Sequence, residues 1–359
     1  MADLFALIFG LLTEGLFFLR DYLFFPQDKE TFSLLRILSL FIAFSISGAI
    51  VVFMSKKAIL KHMGPKANRL KAYGVASVSG VILAVCSCSV LPMFASIRKK
   101  GAGLGPAIAF LFSGPAINVL ALSLTFSTIG VDIALARVIG SIVLALVIGY
   151  AMHRIYRKSE QVRADENVFA RYQEEEIPQK PWQVALFFLT LFGILVFGVY
   201  EPLPTVILAV VLVVELALFF NFDDIRAWGR ETFSLAKRIF PLFIVGVFFA
   251  GILDALVTPR MLADLVGTNG YPQNLLASLT GSLMYFATLT EVPIVSALLE
   301  NGMHRGPATA LLLAGPSLSL PNMVVITRVI GIKRAMTYIG LVVMLSALVG
   351  MVAGFLFIL

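Results

Sequence analysis

Two cysteines lie at a spacing that could bind a ligand. Cys86 and Cys88 are the only cysteines in the sequence, and both lie in an apolar run around the motif CSCSVLP. At a turn, both sulfur atoms can face one ligand, and two thiolates are a soft donor set that suits a thiophilic species such as a monosubstituted trivalent arsenical. The alternative is that cysteine only packs there as a small apolar residue, since Ser87 and Ser89 indicate that the turn needs small side chains.

Glu291 is the second candidate for chemistry, because it lies deep within the apolar run SLMYFATLTEVPIVSALL. A carboxylate inside a membrane is costly unless it is paired or protonated, and it indicates a functional site. Removal from water favours the protonated form, so Glu291 can carry a proton in exchange for substrate. The alternative is a structural ion pair with Arg137 or Arg328.

Composition places these residues in a membrane protein. The chain of 359 residues is 59% hydrophobic and 14% charged, whereas soluble domains average about 45–50% and about 25%. The net charge of +7 comes from short basic clusters between apolar runs, which is typical of a topology signal and argues against nucleic acid as a partner. The three histidines lack metal-ligand spacing and there is no phosphate-binding loop, so no metal, cofactor or enzyme activity is expected.

The apolar runs predict an all-α polytopic protein surrounded by membrane lipid. They fall at about 4–25, 34–55, 73–97, 104–127, 132–153, 183–200, 202–220, 237–257, 273–299, 305–327 and 334–359. The polar stretch 154–181 is predicted to be a cytoplasmic linker. The first run lacks the basic start and the cleavage site of a signal peptide, so it is predicted to be a retained helix with a cytoplasmic N-terminus.

A repeat relates the two halves at a constant offset of 201 residues. Gly80, Pro92, Gly101, Gly105, Pro106, Gly114 and Pro115 fall on Gly281, Pro293, Gly302, Gly306, Pro307, Gly315 and Pro316. The loops at 56–71 and 98–100 are strongly basic, whereas their counterparts are not. Equivalent loops are therefore expected on opposite sides of the membrane, which predicts an inverted-topology repeat.

Two segments are predicted to be re-entrant hairpins, 73–97 and 273–299, because both ends of the first are basic. The tip of the first would lie near CSCSVLP, where Pro92 interrupts helical hydrogen bonding, and that of the second near TLTEVP. The alternative is about eleven full transmembrane helices with a parallel repeat. The predicted parts are an N-terminal helix with an external loop (1–33), repeat 1 (34–153), the linker (154–181), two connecting helices with a cytoplasmic loop (182–236) and repeat 2 (237–359).

Two further helices are predicted to be interrupted, at FLFSGPAIN (110–118) and LLLAGPSLSLPN (311–322). Glycine and proline free backbone groups that must face protein, a cavity or a ligand. Paired interruptions in two halves indicate a transporter's binding site. The predicted substrate-binding residues are Cys86, Ser87, Cys88, Ser89, Pro92, Ser113, Gly114, Pro115, Asn118, Thr290, Glu291, Pro293, Gly315, Pro316, Ser317 and Asn322, with Glu291 also carrying the proton.

The stretch CSCSVLPMFASIRKKGAGLGPAIAFLFSGPAIN and its second copy TEVPIVSALLENGMHRGPATALLLAGPS resemble the predicted permease family that includes YraQ and the organoarsenical efflux proteins called ArsP. The resemblance covers about 34–359 and implies a bacterial inner-membrane permease for a small molecule. It implies that Cys86 and Cys88 are candidate ligands. The leading hypothesis is a secondary transporter, compatible with a homo-oligomer. The alternative is a membrane thiol–disulfide carrier that uses the Cys-Ser-Cys pair with a thioredoxin-like partner.

Overall fold

The protein is helical throughout the ranges that its structure describes. The computed structural model describes residues 33–53, 72–77, 87–169, 179–197, 202–256, 265–284 and 291–356, with four single positions before residue 18. In chain order, the helices are α1 Ser33–Phe53, α2 Ser87–Lys99, α3 Leu104–Ala116, α4 Val119–Thr128, α5 Val131–Phe169, α6 Pro181–Phe197, α7 Pro202–Phe219, α8 Phe222–Leu256, α9 Tyr271–Leu283, α10 Glu291–Glu300, α11 Arg305–Leu318, α12 Leu320–Ile330 and α13 Ile332–Leu356.

Apolar side chains cover much of the outer surface, as expected of helices that face lipid. On α7 the exposed ones include Leu203, Val206, Ile207, Val210, Val213 and Leu218. Among the described residues, two helices are long and apolar enough to cross a membrane, Val131–Glu160 within α5 and Ile332–Leu356. Two bent pairs, α3 with α4 and α11 with α12, also qualify if each is one span.

Both bent pairs confirm the predicted interruptions. The helices meet at 44° in the first pair and at 49° in the second. The first break covers Ile117 and Asn118, and the second is at Ser319. In each pair, the first helix continues past the Gly-Pro pair before it ends. In the first pair it closes with a main-chain hydrogen bond from the N–H of Ile117 to the carbonyl oxygen of Ser113 (3.0 Å).

The bounds of the helices follow the 201-residue offset. The starts of α3, α4 and α5 coincide under this shift with those of α11, α12 and α13. The turns agree as well: Gly130 and Gly331 precede α5 and α13 with positive φ values of 136° and 86°. A side chain would strain this left-handed backbone, so glycine is needed at both turns.

Two equivalent helices lie side by side and antiparallel. The hydroxyl of Tyr156 on α5 lies 2.8 Å from Oγ1 of Thr337 near the start of α13. Earlier on α5, a Cβ added at Gly140 would meet the side chain of Val349 at 2.9 Å, near the other end of α13. The later part of α5 therefore packs against the early part of α13.

The bent pairs begin at opposite ends of α5. Near its start, Asp132 forms an ion pair with Arg305, the first residue of α11. Farther along, Glu160 accepts a hydrogen bond from the backbone N–H of Leu104, the first residue of α3, at 3.2 Å. These two positions are about 42 Å apart along a helix that rises about 1.5 Å per residue.

Two local expectations differ from the structure. Helix α5 continues to Phe169, well into the predicted linker 154–181, because its sequence KSEQVRADE holds good helix formers. Helix α2 runs through Pro92 without ending there, so that proline removes one hydrogen bond but does not form the hairpin tip. The rest of the linker (170–178), Cys86 in the first predicted tip and residues 288–290 in the second lie outside the described residues.

Segment 273–299 is not one continuous helix. It falls into α9 and α10, which have 13 and 10 residues. Their lengths are about 20 Å and about 15 Å, and each is shorter than the roughly 30 Å hydrocarbon layer. Two short helices are compatible with a hairpin, and whether the segment re-enters or crosses stays a prediction.

Candidate functional site

The buried ion pair between Arg137 and Glu291 is the centre of the candidate site. Arg137 lies on α5 in the first half, and Glu291 is the first residue of α10 in the second half. Their side chains are 0% and 1% exposed. The pair therefore joins the two halves inside the protein. One of the two partners proposed for Glu291 from the sequence, Arg137, is confirmed, while Arg328 is exposed on α12.

Arg137 also holds the first break. Its Nε donates to the carbonyl oxygen of Ala116, the last residue of α3, at 3.0 Å. Its Nη1 donates to Oγ1 of Thr125 on α4 at 3.3 Å. One guanidinium group thus connects both helices of the first bent pair to the carboxylate of the other half.

The geometry leaves one carboxylate oxygen without a hydrogen bond. Nη2 of Arg137 is 3.2 Å from Oε1 of Glu291. The N–H of Nη2 has a suitable hydrogen-bond angle only toward Oε2, which is 3.5 Å from Nη2. Oε1 therefore has no hydrogen-bond partner among the described residues. The first-turn position in α10 favours the negative charge of Glu291, since the N-terminus of a helix is the positive end of its dipole.

A buried ion pair of this kind is sensitive to the loss of either charge. Desolvation of both groups offsets much of their attraction, and removal of one partner leaves an uncompensated charge at a cost of about 3–5 kcal/mol. Protonation of Glu291 has a similar consequence for Arg137.

The predicted serines lie where the helices cross. Oγ of Ser317 on α11 donates to the carbonyl oxygen of Phe112 on α3 at 3.4 Å, which links the two halves. Oγ of Ser113 donates to the carbonyl oxygen of Ser77 at 3.2 Å. Asn118 lies at the first break and Asn322 in the first turn of α12, and both are 2% exposed.

The interrupted elements of the two halves are interleaved. Helix α10 packs against α4, and α2 packs against α12, so each short helix contacts the bent pair of the other half. The glycines and prolines of the two Gly-Pro pairs, Gly114, Pro115, Gly315 and Pro316, are all buried. The predicted meeting of all four interrupted segments stays a prediction, because parts of both hairpin tips lie outside the described residues.

The remaining predicted residues lie on α2 and α10 or outside the described residues. Pro92 is buried within α2, and Pro293 is exposed on α10. Cys86 and Thr290 lie outside the described residues. Ser87, Cys88 and Ser89 belong to α2, but their side chains are outside the description. The donor role of the cysteines therefore stays a prediction.

Sequence reasoning named Arg137 only as a possible structural partner of Glu291 and did not name Thr125. An arginine within the apolar run IALARVIGS is a signal that could have identified the first, since charged residues inside membranes usually pair with one another. Thr125 had no signal, because a threonine in an apolar helix is ordinary. No group of three His, Cys, Asp or Glu side chains in the described ranges could hold a metal ion.

A second buried cluster lies at the other end of α5. Glu160 and Arg98 are both 4% exposed and form two parallel hydrogen bonds of 3.0 and 2.9 Å. Nη1 of Arg334 on α13 is 3.2 Å from the same carboxylate. The cluster therefore joins α2, α5 and α13, and it lies near the start of α3 through Leu104.

Known proteins are similar in sequence to this chain over most of its length. The family model described as "Predicted permease", ArsP_1, matches residues 29–355. UPF0718 protein MJ0584 from Methanocaldococcus jannaschii is 43% identical over 338 residues, which cover 89% of this chain and 92% of its own. UPF0718 protein YraQ from Escherichia coli is 23% identical over 305 residues, 85% of this chain and 73% of its own.

A more distant relative is named as a subunit of a two-component membrane permease complex. This Streptococcus mutans protein is 22% identical over 303 residues, 82% of this chain and 83% of its own. No solved structure matches the chain. None of these relatives has a name that refers to thiol redox chemistry, so the comparisons do not support the thiol–disulfide carrier. The family match and the apolar helices identify a multi-pass membrane protein, and the chain belongs to the predicted permease family ArsP_1.

Proposed function

We propose that this permease is a secondary transporter that moves a small molecule across the plasma membrane through two inverted halves. The observation that carries the proposal is the Arg137–Glu291 ion pair, which is buried and joins the halves beside an interrupted helix. Interruptions in corresponding positions of two halves are typical of transporter binding sites.

The contacts of α5 support the inverted arrangement. Its equivalent helix, α13, runs antiparallel to it, and the two bent pairs begin at its opposite ends. Basic residues concentrate at the end that carries Glu160: Arg98, Lys99, Lys100, Arg154, Arg157, Lys158, Lys333 and Arg334. The positive-inside tendency then makes this end cytoplasmic and the Asp132 end external.

Labelling from either side of the membrane tests the inversion. Lys99→Cys and Asn301→Cys, each in a Cys86→Ser/Cys88→Ser chain, place single thiols at two exposed positions. Asn301 is preferred to its neighbour Gly302, whose φ of 98° disfavours a side chain. A membrane-impermeant thiol reagent should label residue 301 from outside intact cells and residue 99 only in inverted vesicles. Labelling of both thiols from one side would refute the inversion.

In the proposed cycle, Glu291 is the group that carries the proton. In the described geometry it is paired with Arg137. When a proton neutralises the carboxyl group, the attraction between the halves is lost, while Arg137 keeps its hydrogen bonds to Ala116 and Thr125. The halves can then separate at this point and close again when the proton leaves. Proton transfer thereby drives the change between the two open states.

The substrate in this proposal is a small thiophilic molecule, with an organoarsenical as the leading candidate. The soft donor chemistry of Cys86 and Cys88 supports it. Helix α2, which begins at Ser87 and contains Cys88, packs against α12 of the other half. This contact brings the cysteine-bearing segment toward the second break.

Uptake into everted membrane vesicles tests the coupling, with a monomethyl trivalent arsenical as the probe. The wild type should accumulate the probe when a pH gradient is imposed, and Glu291→Gln should fall to the level of vesicles without the protein. Glu300→Gln is the matched control, because Glu300 is exposed at the far end of the same helix. Gradient-driven uptake by Glu291→Gln would contradict the coupling role, and failure of the wild type would contradict the substrate.

A further inference from the structure

Helices α12 and α13 carry three buried polar groups that the Arg137–Glu291 ion pair does not use, two of them at the second break. Oη of Tyr338, Oγ of Ser319 and Oδ1 of Asn322 are buried and have no hydrogen-bond partner among the described residues. The three residues are 0%, 2% and 2% exposed. Buried polar groups without partners are uncommon in native proteins and call for an explanation.

The 201-residue offset relates these groups to the site at the first break. Tyr338 on α13 takes the position of Arg137 on α5, and Ser319 takes that of Asn118. At the first break, Arg137 reaches the end of α3 and bonds to it at 3.0 Å. The same geometry at the equivalent position would direct Tyr338 toward the end of α11, where Ser319 precedes the next helix.

The start of α12 is a buried helix N-terminus without a cap. Ser319 is the N-cap residue, yet its side chain makes no capping hydrogen bond, and Pro321 at the second position has no N–H. A buried helix end without capping partners leaves backbone donors available to a ligand. The unpartnered side chains of Ser319 and Asn322 lie in this same turn.

The charges of the first break have no counterpart at the second. Glu291 corresponds to Val90 on α2, which is 0% exposed, and Arg137 corresponds to Tyr338. A charged ligand would thus lose its hydration without gaining an opposite charge at these positions. An uncharged molecule with hydroxyl or oxo groups could instead satisfy the three polar side chains.

We propose that the second break is the recognition site for the transported molecule, and that this molecule binds there in an uncharged, hydroxylated form through Tyr338, Ser319 and Asn322. The proposal rests on the proposed transport function and assigns its two tasks, proton coupling and substrate recognition, to different sites. The first break couples movement to the proton, and the second break selects the substrate by hydrogen bonds.

Thiol labelling with three reagents of similar size tests this assignment without a known substrate. Ser319→Cys and Asn322→Cys are made separately in the full-length Cys86→Ser/Cys88→Ser protein in membranes. The reagents are the hydroxyethyl, sulfonatoethyl and trimethylammonioethyl methanethiosulfonates, which are uncharged, anionic and cationic. Each rate is divided by the rate of the same reagent with a free thiol in solution. Ala347→Cys is the control, because Ala347 is 0% exposed on α13 and has no polar role.

We expect the uncharged reagent to label both reporters about tenfold or more faster than Ala347→Cys, and faster than either charged reagent, since an unpaired charge is costly in the interior. The proposal is overturned if either charged reagent matches the uncharged one, or if the reporters react no faster than the control. Tyr338→Arg should raise the rate of the anionic reagent at Ser319→Cys. Should that variant fail to fold, Asn322→Asp should favour the cationic reagent at the same reporter.

The outcome of the labelling experiment does not depend on the outcome of the coupling experiment. Labelling requires neither a proton gradient nor transport, so it can succeed when Glu291→Gln retains gradient-driven uptake. Conversely, slow labelling at the second break contradicts the recognition site while the role of Glu291 stands.

Discussion

The two ends of α5 differ sharply in how they are joined to the rest of the protein. At one end, Glu160 is buried and binds Arg98 through two hydrogen bonds while Arg334 lies close to it. At the other end, Asp132 and Arg305 form a single ion pair whose side chains are 26% and 54% exposed. Both ends join α5 to the start of a bent pair, but only one does so in the interior.

This difference indicates that the end with Glu160 is the more firmly closed. Exposed ion pairs are screened by water and contribute about 0–1 kcal/mol. A buried carboxylate shared by two guanidinium groups costs several times more to disrupt. Under the proposed transport cycle, the end with Asp132 is therefore expected to open more readily than the end with Glu160.

The largest effect is expected from Glu160→Ala. This change leaves Arg98 buried without its carboxylate partner, so the free energy of unfolding should fall by about 3–5 kcal/mol. Denaturant unfolding of the purified protein in detergent measures it. Glu231→Ala is the matched control, because it removes an exposed ion pair with Lys99 of 2.7 Å. Equal losses in the two variants would remove the proposed difference between the ends.

A smaller net effect is expected when the Arg137–Glu291 ion pair is replaced as a unit. Arg137→Met alone leaves Glu291 buried without its cation and should destabilise the protein by about 3–5 kcal/mol. Adding Glu291→Met should restore most of this stability, because an apolar pair can replace a buried ion pair, yet uptake should remain absent. Unfolding and vesicle uptake are measured on the same samples. Restored uptake in the double variant would show that the pair is only structural.

Asp132→Asn should change stability by less than about 1 kcal/mol, since its partner Arg305 is more than half exposed. The same change should increase labelling of a nearby thiol from the external side if this end opens more readily. Asn301→Cys serves as the reporter. A loss of stability comparable to that of Glu160→Ala would show that the two ends of α5 do not differ in strength.

The smallest effect concerns His304, which lies in the turn before α11 at the weaker end. Burial, and then the charge of Arg305, hold the pKa of His304 below its ordinary value. Its neutral Nδ1 accepts a hydrogen bond from the N–H of Gly306 at 3.2 Å. Because the folded pKa is depressed, this contribution is complete above the unfolded value of about 6.5 and is lost as the pH falls through the folded pKa.

Thermal unfolding at several pH values tests this dependence. His304→Asn should remove it, because asparagine also accepts at an N-cap position but does not titrate. A wild-type protein that unfolds at the same temperature across this range would contradict the role of His304.

The sequence predicted the interrupted helices because proline and glycine leave a local signal. It also predicted Glu291 as an intramembrane acid and offered Arg137 as one of two partners. Local signals could not predict the Glu160 cluster, since Arg98 and Glu160 are 62 residues apart and meet only when α2 packs beside α5. Tyr338 had no signal of its own, because a tyrosine in an apolar helix becomes notable only when its equivalent is known to be Arg137.

The length of α5 has a mechanical consequence. It is one helix of 39 residues, and at about 1.5 Å per residue it extends about 58 Å. In the proposed transport cycle, a tilt of this rigid helix about its middle would widen the gap at one end and narrow it at the other. Exposure to one compartment would then exclude exposure to the other by geometry alone, without a separate signal between the two ends.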